Sequence, residues 1–133
     1  MTNSMSTPIP ADDLSSFIDA ARRVGSQYGL VRGSSGNLSC RLVGGEQFII
    51  SASRSWLAEL QDMQVVLCRL ADEEPLNGLR PSVETGFHAG ILREREDINV
   101  VLHFQTVSTT IMACRTKQPA SYDLIPEIPY YIG

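Results

Sequence analysis

Apolar positions along this chain recur with two different periods, and the switches between them divide it into elements. From Pro10 onward, Leu14, Phe17, Ile18, Ala21 and Tyr28 fall on one helical stripe, with Arg22, Arg23 and Gln27 on other faces. Asp12 and Asp13 stand in the first turn, where the positive end of the helix dipole favours carboxylates, and Gly29 supplies a stop. These features predict a helix from Ala11 to about Tyr28. After the small residues Gly33-Ser34-Ser35-Gly36-Asn37 the period shortens to two over Leu38 to Leu42, a strand signal. Gly44-Gly45 then turns the chain into a partner strand, Gln47 to Ser51.

Ser53 to Leu60 reads as a loop with a short helix, and Asp62 leads into a strand over Val65 to Arg69. Ala71 to Arg80 is an acidic connection containing glycine and proline. Ser82 is predicted to N-cap a helix from Val83 to about Glu94, with Val83, Phe87, Ile91 and Leu92 on its buried face. Ile98 to His103 reads as a buried strand and Thr106 to Ala113 as a helix. Prolines keep Asp123 to Pro129 extended, and Tyr130-Tyr131-Ile132 begins a last strand. A hairpin, further strands and covering helices predict the α/β class, a layered α/β/α domain with a central, mainly antiparallel sheet. Residues 1–10 read as a disordered lead-in and residues 11–133 as one domain.

Composition narrows the functional classes. A chain of 133 residues with 43% hydrophobic and 20% charged residues supports a real core. Its net charge of -4 and the spread of its basic residues exclude the clustered positive charge that nucleic acid demands. Lys117, the only lysine, stands in a polar stretch, whereas a Schiff-base lysine requires desolvation. Cys40, Cys68 and Cys114 show no CxxC spacing and each sits in an apolar segment, the pattern of reduced, buried thiols. With neither a signal-peptide pattern nor an apolar run of membrane-spanning length, a cytoplasmic location and no membrane partner are expected.

Three short segments carry candidate chemistry. Gly33-Ser34-Ser35-Gly36-Asn37 offers backbone N–H groups, hydroxyls and an amide, and reads either as a plain turn or as an anion cradle. Ser51-Ala52-Ser53 reads as ordinary turn chemistry unless it lies beside that loop. Ser82-Val83-Glu84 opens a helix, where free N–H groups favour anions, and His88 follows Glu84 by one turn on the same face. By themselves Glu84 and His88 read as a structural pair. On the strand Val100 to His103, the side chains of His103 and Gln105 point to one face and look into one site together.

Taken jointly, these segments resemble the class II aldolase/adducin family. The matching signatures are Gly29-Leu30-Val31-Arg32-Gly33-Ser34-Ser35-Gly36-Asn37-Leu38-Ser39, Phe48-Ile49-Ile50-Ser51-Ala52-Ser53, Pro81-Ser82-Val83-Glu84-Thr85-Gly86-Phe87-His88 and Val100-Val101-Leu102-His103. They occur in the family's order from about Leu14 to Gly133. The resemblance implies a metal-dependent lyase that cleaves a C–C bond in a phosphorylated sugar or sugar acid. It implies that Asn37, Ser53 and Ser82 bind the substrate phosphate and that Glu84 is the catalytic acid/base. It also implies zinc or another divalent cation held by three histidines, the first matching His103.

The departures from that pattern bear on the same site. Gln105 replaces the second histidine, and an amide oxygen is a poorer zinc donor than imidazole. The third histidine would lie beyond Gly133, so the resemblance implies the N-terminal part of the family domain, truncated at the C-terminus. Arg54 stands where the aldolases usually have glycine, and Val83 replaces a hydroxyl common in the phosphate site. His88 matches a family histidine that is not a metal ligand. The alternative reading is a non-catalytic oligomerisation or binding module in the manner of adducin head domains. A third reading is a truncated product or fragment whose incomplete edge associates with itself: the apolar segment Ile128 to Ile132, if uncovered, is a sticky edge strand and predicts a homo-oligomer.

Overall fold

The computed structural model describes residues 8–27, 29–117 and 121. Tyr28, residues 1–7 of the lead-in, the extended segment Asp123 to Pro129 and the strand expected over Tyr130 to Ile132 lie outside the described residues. Helix α1 spans Ala11–Ser26, and strands β1 (Gly36–Arg41), β2 (Gln47–Ser51) and β3 (Val65–Arg69) follow. Two 3-10 turns, Leu57–Glu59 and Asp62–Gln64, separate β2 from β3. Helix α2 (Thr85–Glu94), strand β4 (Val100–Phe104) and helix α3 (Val107–Ala113) complete the order. The four strands form one antiparallel sheet in the order β3-β2-β1-β4.

Strand alternation sorts side chains onto two faces, and a helix covers each. Leu38, Ile49, Val65 and Leu67 point to one side, where Phe17, Ile18 and Ala21 of α1 meet them, together with Leu57 and Leu60. Ile9, at the end of the expected lead-in, packs against this cluster. Phe48, Ile50, Val66, Cys68 and Val101 point to the other side, against Ala89 and Leu92 of α2. The result is the expected α/β/α layering with an antiparallel centre. Two close approaches fix it. A Cβ on Gly25 would lie 2.3 Å from the Ala58 backbone nitrogen, so α1 seats directly on the first 3-10 turn. A Cβ on Gly36 would lie 2.8 Å from the His103 carbonyl, so its absence lets β4 close against β1 with Asn37 paired to His103.

Four local expectations are corrected. Helix α2 begins at Thr85 rather than Val83, with Glu84 rather than Ser82 in the N-cap position. The cause is a turn that closes first: the Thr85 N–H donates to the Ser82 carbonyl at 3.2 Å, and the Glu84 N–H to the Ser82 hydroxyl at 3.3 Å. The buried face of α2 is also rotated. Thr85, His88, Ala89 and Leu92 are buried, while Val83, Phe87 and Ile91 are exposed, because a polar partner on β1 draws His88 inward. Strand β4 is half-exposed rather than buried, with only one sheet neighbour among the described residues. Of the cysteines only Cys68 is buried; Cys40 is intermediate and Cys114, on the end of α3, is exposed. Burial pushes the Cys68 thiol up to about 12, which keeps it unreactive.

The segment between α2 and β4 is tied down by Arg41. Its guanidinium donates to the carbonyls of Leu92, Arg95 and Ile98, satisfying orphan groups at the helix C-terminus. No helix among the described residues is long and apolar enough to cross a membrane.

Candidate active site

Four element ends, those of β2 and β4 and the starts of β1 and α2, converge at one end of the sheet, on the face covered by α2. An isolated antiparallel bridge joins Ala52 to Pro81, and the Ser53 N–H donates to the Arg80 carbonyl at 3.1 Å. This brings the turn after β2 beside the segment that enters α2. The β1–β4 register adds Asn37 and His103, and the Gln105 N–H donates to the Ser35 carbonyl at 3.1 Å, drawing the glycine-serine loop against the end of β4. Asn37, Ser53, Ser82, Glu84, His103 and Gln105 all line the resulting cavity of about 270 Å³, with Ser34, Ser35 and Arg54 also on its wall.

Glu84 is the focus of the polar contacts. His103 Nδ1 donates to Glu84 Oε2 at 2.7 Å, and Asn37 Nδ2 donates to the same oxygen. Asn37 Oδ1 in turn faces His88 Nε2, and His88 Nδ1 lies 2.7 Å from the Ser39 hydroxyl. A carboxylate only accepts, so the amide nitrogen of Asn37 must face Glu84 and its oxygen must face His88. His88 therefore carries its proton on Nε2, and Ser39 donates to the lone pair on Nδ1. Every bond from Ser39 to Glu84 runs in one direction. Glu84 and His88, expected as a pair on one helix face, are thus linked through Asn37 on the neighbouring strand.

Burial sets the charge state of the inner part. His88 and Ser39 are fully buried. Loss of hydration holds the His88 pKa down to about 4, with the nearby His103 adding to the depression and Glu84 opposing it. His88 is neutral at physiological pH, as the directional chain requires. Ser39 and His88 resemble a nucleophile and its base, but no substrate reaches a hydroxyl with no exposed surface. Phe87, an expected core residue, is instead partly exposed and packs against two histidine rings. Its ring lies 4.5 Å from that of His88 and meets the His103 ring edge-on at 5.3 Å.

The donor set for a metal is partial. His103 and Gln105 share the cavity, but Nδ1 of His103 is engaged by Glu84, leaving one imidazole nitrogen and an amide oxygen. No group of three His, Cys, Asp or Glu side chains that could hold a metal ion exists among the described residues. Tetrahedral zinc requires three protein ligands even at an open catalytic site. The described residues therefore do not fit a tightly held zinc by themselves.

An α/β/α fold with a hydrogen-bonded carboxylate and a hydroxyl-lined cavity at its strand ends matches a known family. The chain belongs to the class II aldolase and adducin family: the model of the Class II Aldolase and Adducin N-terminal domain matches residues 15–132. It is 39% identical over 99 residues to the 5-methylthioribulose-1-phosphate/5-deoxyribulose-1-phosphate aldolase of Rhodospirillum rubrum, covering 74% of this chain and 42% of that protein. It is 32% identical over 106 residues to the 3-oxo-tetronate 4-phosphate decarboxylase of Escherichia coli, covering 80% and 49%. The crystal structure of YgbL from Escherichia coli superposes with a TM-score of 0.68 at 26% identity, covering 79% of this chain and 49% of that one. The chain thus spans less than half the length of these two curated relatives.

Asn37, Glu84 and His103, singled out from the sequence, are in direct contact, and Ser53, Ser82 and Gln105 share their cavity. Sequence reasoning missed Ser39. Its only signal was its place on β1, two residues from Asn37 and hence on the same face.

Proposed function

We propose that this chain provides the proton-transferring carboxylate and the phosphate cradle of a class II aldolase-like lyase acting on a phosphorylated sugar or sugar acid. The observation that carries this reading is the placement of Glu84. It stands on a cavity wall with Asn37 and His103 bonded to one oxygen, while Ser53 and Ser82 line the same cavity. In aldol cleavage a base removes the hydroxyl proton beside the scissile C–C bond, and the electrons of that bond pass to the carbonyl-bearing fragment as an enediolate. In decarboxylation carbon dioxide leaves and the same kind of enolate remains. Both reactions end when an acid returns a proton to the enolate carbon, and Glu84 is placed for that step. Asn37, whose amide the resemblance assigns to the phosphate, is engaged at both ends by Glu84 and His88 and with His103 holds the carboxylate in one orientation, so the hydroxyls of Ser53 and Ser82 receive the phosphate oxygens.

The rest of the reading places the protein in the cytoplasm as a homo-oligomer, with zinc or another divalent cation completed by ligands beyond the described residues. A second reading, a non-catalytic adducin-like module, is favoured by one observation, the partial donor set around His103 and Gln105. The two separate in an assay of the full chain with ketose 1-phosphates and 3-oxo acid 4-phosphates, with and without added divalent cations. Turnover that falls at least 100-fold in Glu84→Gln supports the lyase. Absence of turnover with every substrate and cation rejects it for this chain and leaves the binding module.

A further inference from the structure

The turn that carries Ser53 holds an arginine where its geometry asks for glycine. Ala52 to Ser55 is closed by the Ser55 N–H donating to the Ala52 carbonyl at 3.2 Å, and the Ser55 hydroxyl reinforces it at 2.8 Å. Arg54, the third residue of the turn, has φ of 64°, and Ser53 before it is not in the left-handed region. Positive φ at the third position alone defines a type II turn, which takes glycine or asparagine there. Arg54 and Glu73 are the two non-glycine residues with positive φ among the described residues, and Arg54 is the one on the cavity wall. Strain of this kind persists where surrounding structure enforces it, and it gathers at ligand-binding positions.

Nothing within the described part of the protein uses the Arg54 guanidinium. The salt bridges there pair Arg69 with Asp72, Arg93 with Glu73, Arg95 with Asp97 and His103 with Glu84. The cavity it lines contains one carboxylate, Glu84, and otherwise neutral hydroxyls and amides beside the His103 imidazole. A phosphate dianion entering such a cavity meets a negative charge, and the hydroxyls of Ser53 and Ser82 offer only neutral hydrogen bonds against it. Arg54 lines this cavity and also a neighbouring depression with Glu59, and its fork, turned to the cavity side, supplies the missing countercharge.

We propose that Arg54 is the phosphate-binding cation of this cavity, selecting a phosphomonoester dianion in concert with Ser53 and Ser82. The inference rests on the sugar-phosphate reading of the site and adds to it a residue outside the Ser53 and Ser82 hydroxyl cradle. It is tested on the full chain with inorganic phosphate as the probe, followed by calorimetry at two ionic strengths, in wild type, Arg54→Gly and Arg54→Lys. Arg54→Gly relaxes the turn and is expected to melt a few degrees higher while binding phosphate about tenfold more weakly, with less dependence on salt. Arg54→Lys keeps the charge without the fork and is expected to fall between the two. Equal phosphate affinity in wild type and Arg54→Gly overturns the role of Arg54 and leaves the sugar-phosphate reading standing. Failure of wild type to bind either phosphate or a ketose 1-phosphate overturns both.

Discussion

The two faces of the sheet are made by the same strands but are filled differently. Toward α1 the interior is apolar throughout, built from Phe17, Ile18, Leu38, Ile49, Leu67 and their neighbours. Toward α2 it is apolar only at the end where Phe48, Ile50, Val66 and Leu92 meet. At the other end Ser39, Asn37 and His88 are buried as a hydrogen-bonded chain leading to Glu84. Apolar packing tolerates small imprecision, whereas a buried polar chain is stable only when every member is satisfied. One face gives the domain its stability, and the other accepts a less stable interior in order to hold a carboxylate in position.

Three measurements break or sharpen this contrast. The largest effect is expected on the apolar face. Ile49→Ala removes a fully buried side chain and should cost about 2–5 kcal/mol in urea denaturation. A loss below about 1 kcal/mol would mean that this face is not close-packed.

The next effect belongs to the polar face alone. In the unfolded chain His88 takes up a proton near pH 6.5, whereas the folded protein resists until about pH 4. Between those values the unfolded state binds more protons, so the stabilisation is fully present above pH 6.5 and is lost as pH falls toward 4. A shift of that size corresponds to roughly 3 kcal/mol. Denaturation midpoints measured across this window should flatten in His88→Gln and keep their slope in Ile49→Ala. An unchanged slope in His88→Gln would assign the acid sensitivity to other groups.

The smallest effect is expected at the start of the chain. Ser39→Ala leaves the His88 Nδ1 lone pair without a donor in a dry interior and should cost about 1–3 kcal/mol. Nitrogen NMR of the ring should still show the single Nε2–H tautomer, because Asn37 Oδ1 continues to accept from Nε2. Loss of that tautomer would show that Ser39, and not the outer end alone, fixes the direction.

The same contrast explains what could be read in advance. Strand β3, and β2 after its Gly44-Gly45 turn, follow expectation to the residue because their short apolar runs and polar ends are local signals. Helix α1 is likewise legible from its stripe. The face of α2 was not, since apolar Phe87 and Ile91 lie outward while His88 and Thr85 are buried. That rotation depends on partners 49 and 51 positions away, Ser39 and Asn37, which no local period encodes. The residues around the cavity were recognisable because each sits at an element end in a short motif. Arg54 was visible only as a departure, because its left-handed backbone is a property of the folded turn.

The one-way chain from Ser39 to Glu84 has a further consequence. Its direction is dictated from the outer end, by a carboxylate that can only accept. A proton placed on Glu84 removes that dictate: the amide of Asn37 is then free to turn, the His88 ring to exchange tautomer and the Ser39 hydroxyl to swing from donor to acceptor. A fully buried hydroxyl thereby keeps a record of the state of a partly exposed group. A spectroscopist observing one imidazole in the buried interior would be reading out, without a substrate or a dye, whether the Glu84 carboxylate carries a proton.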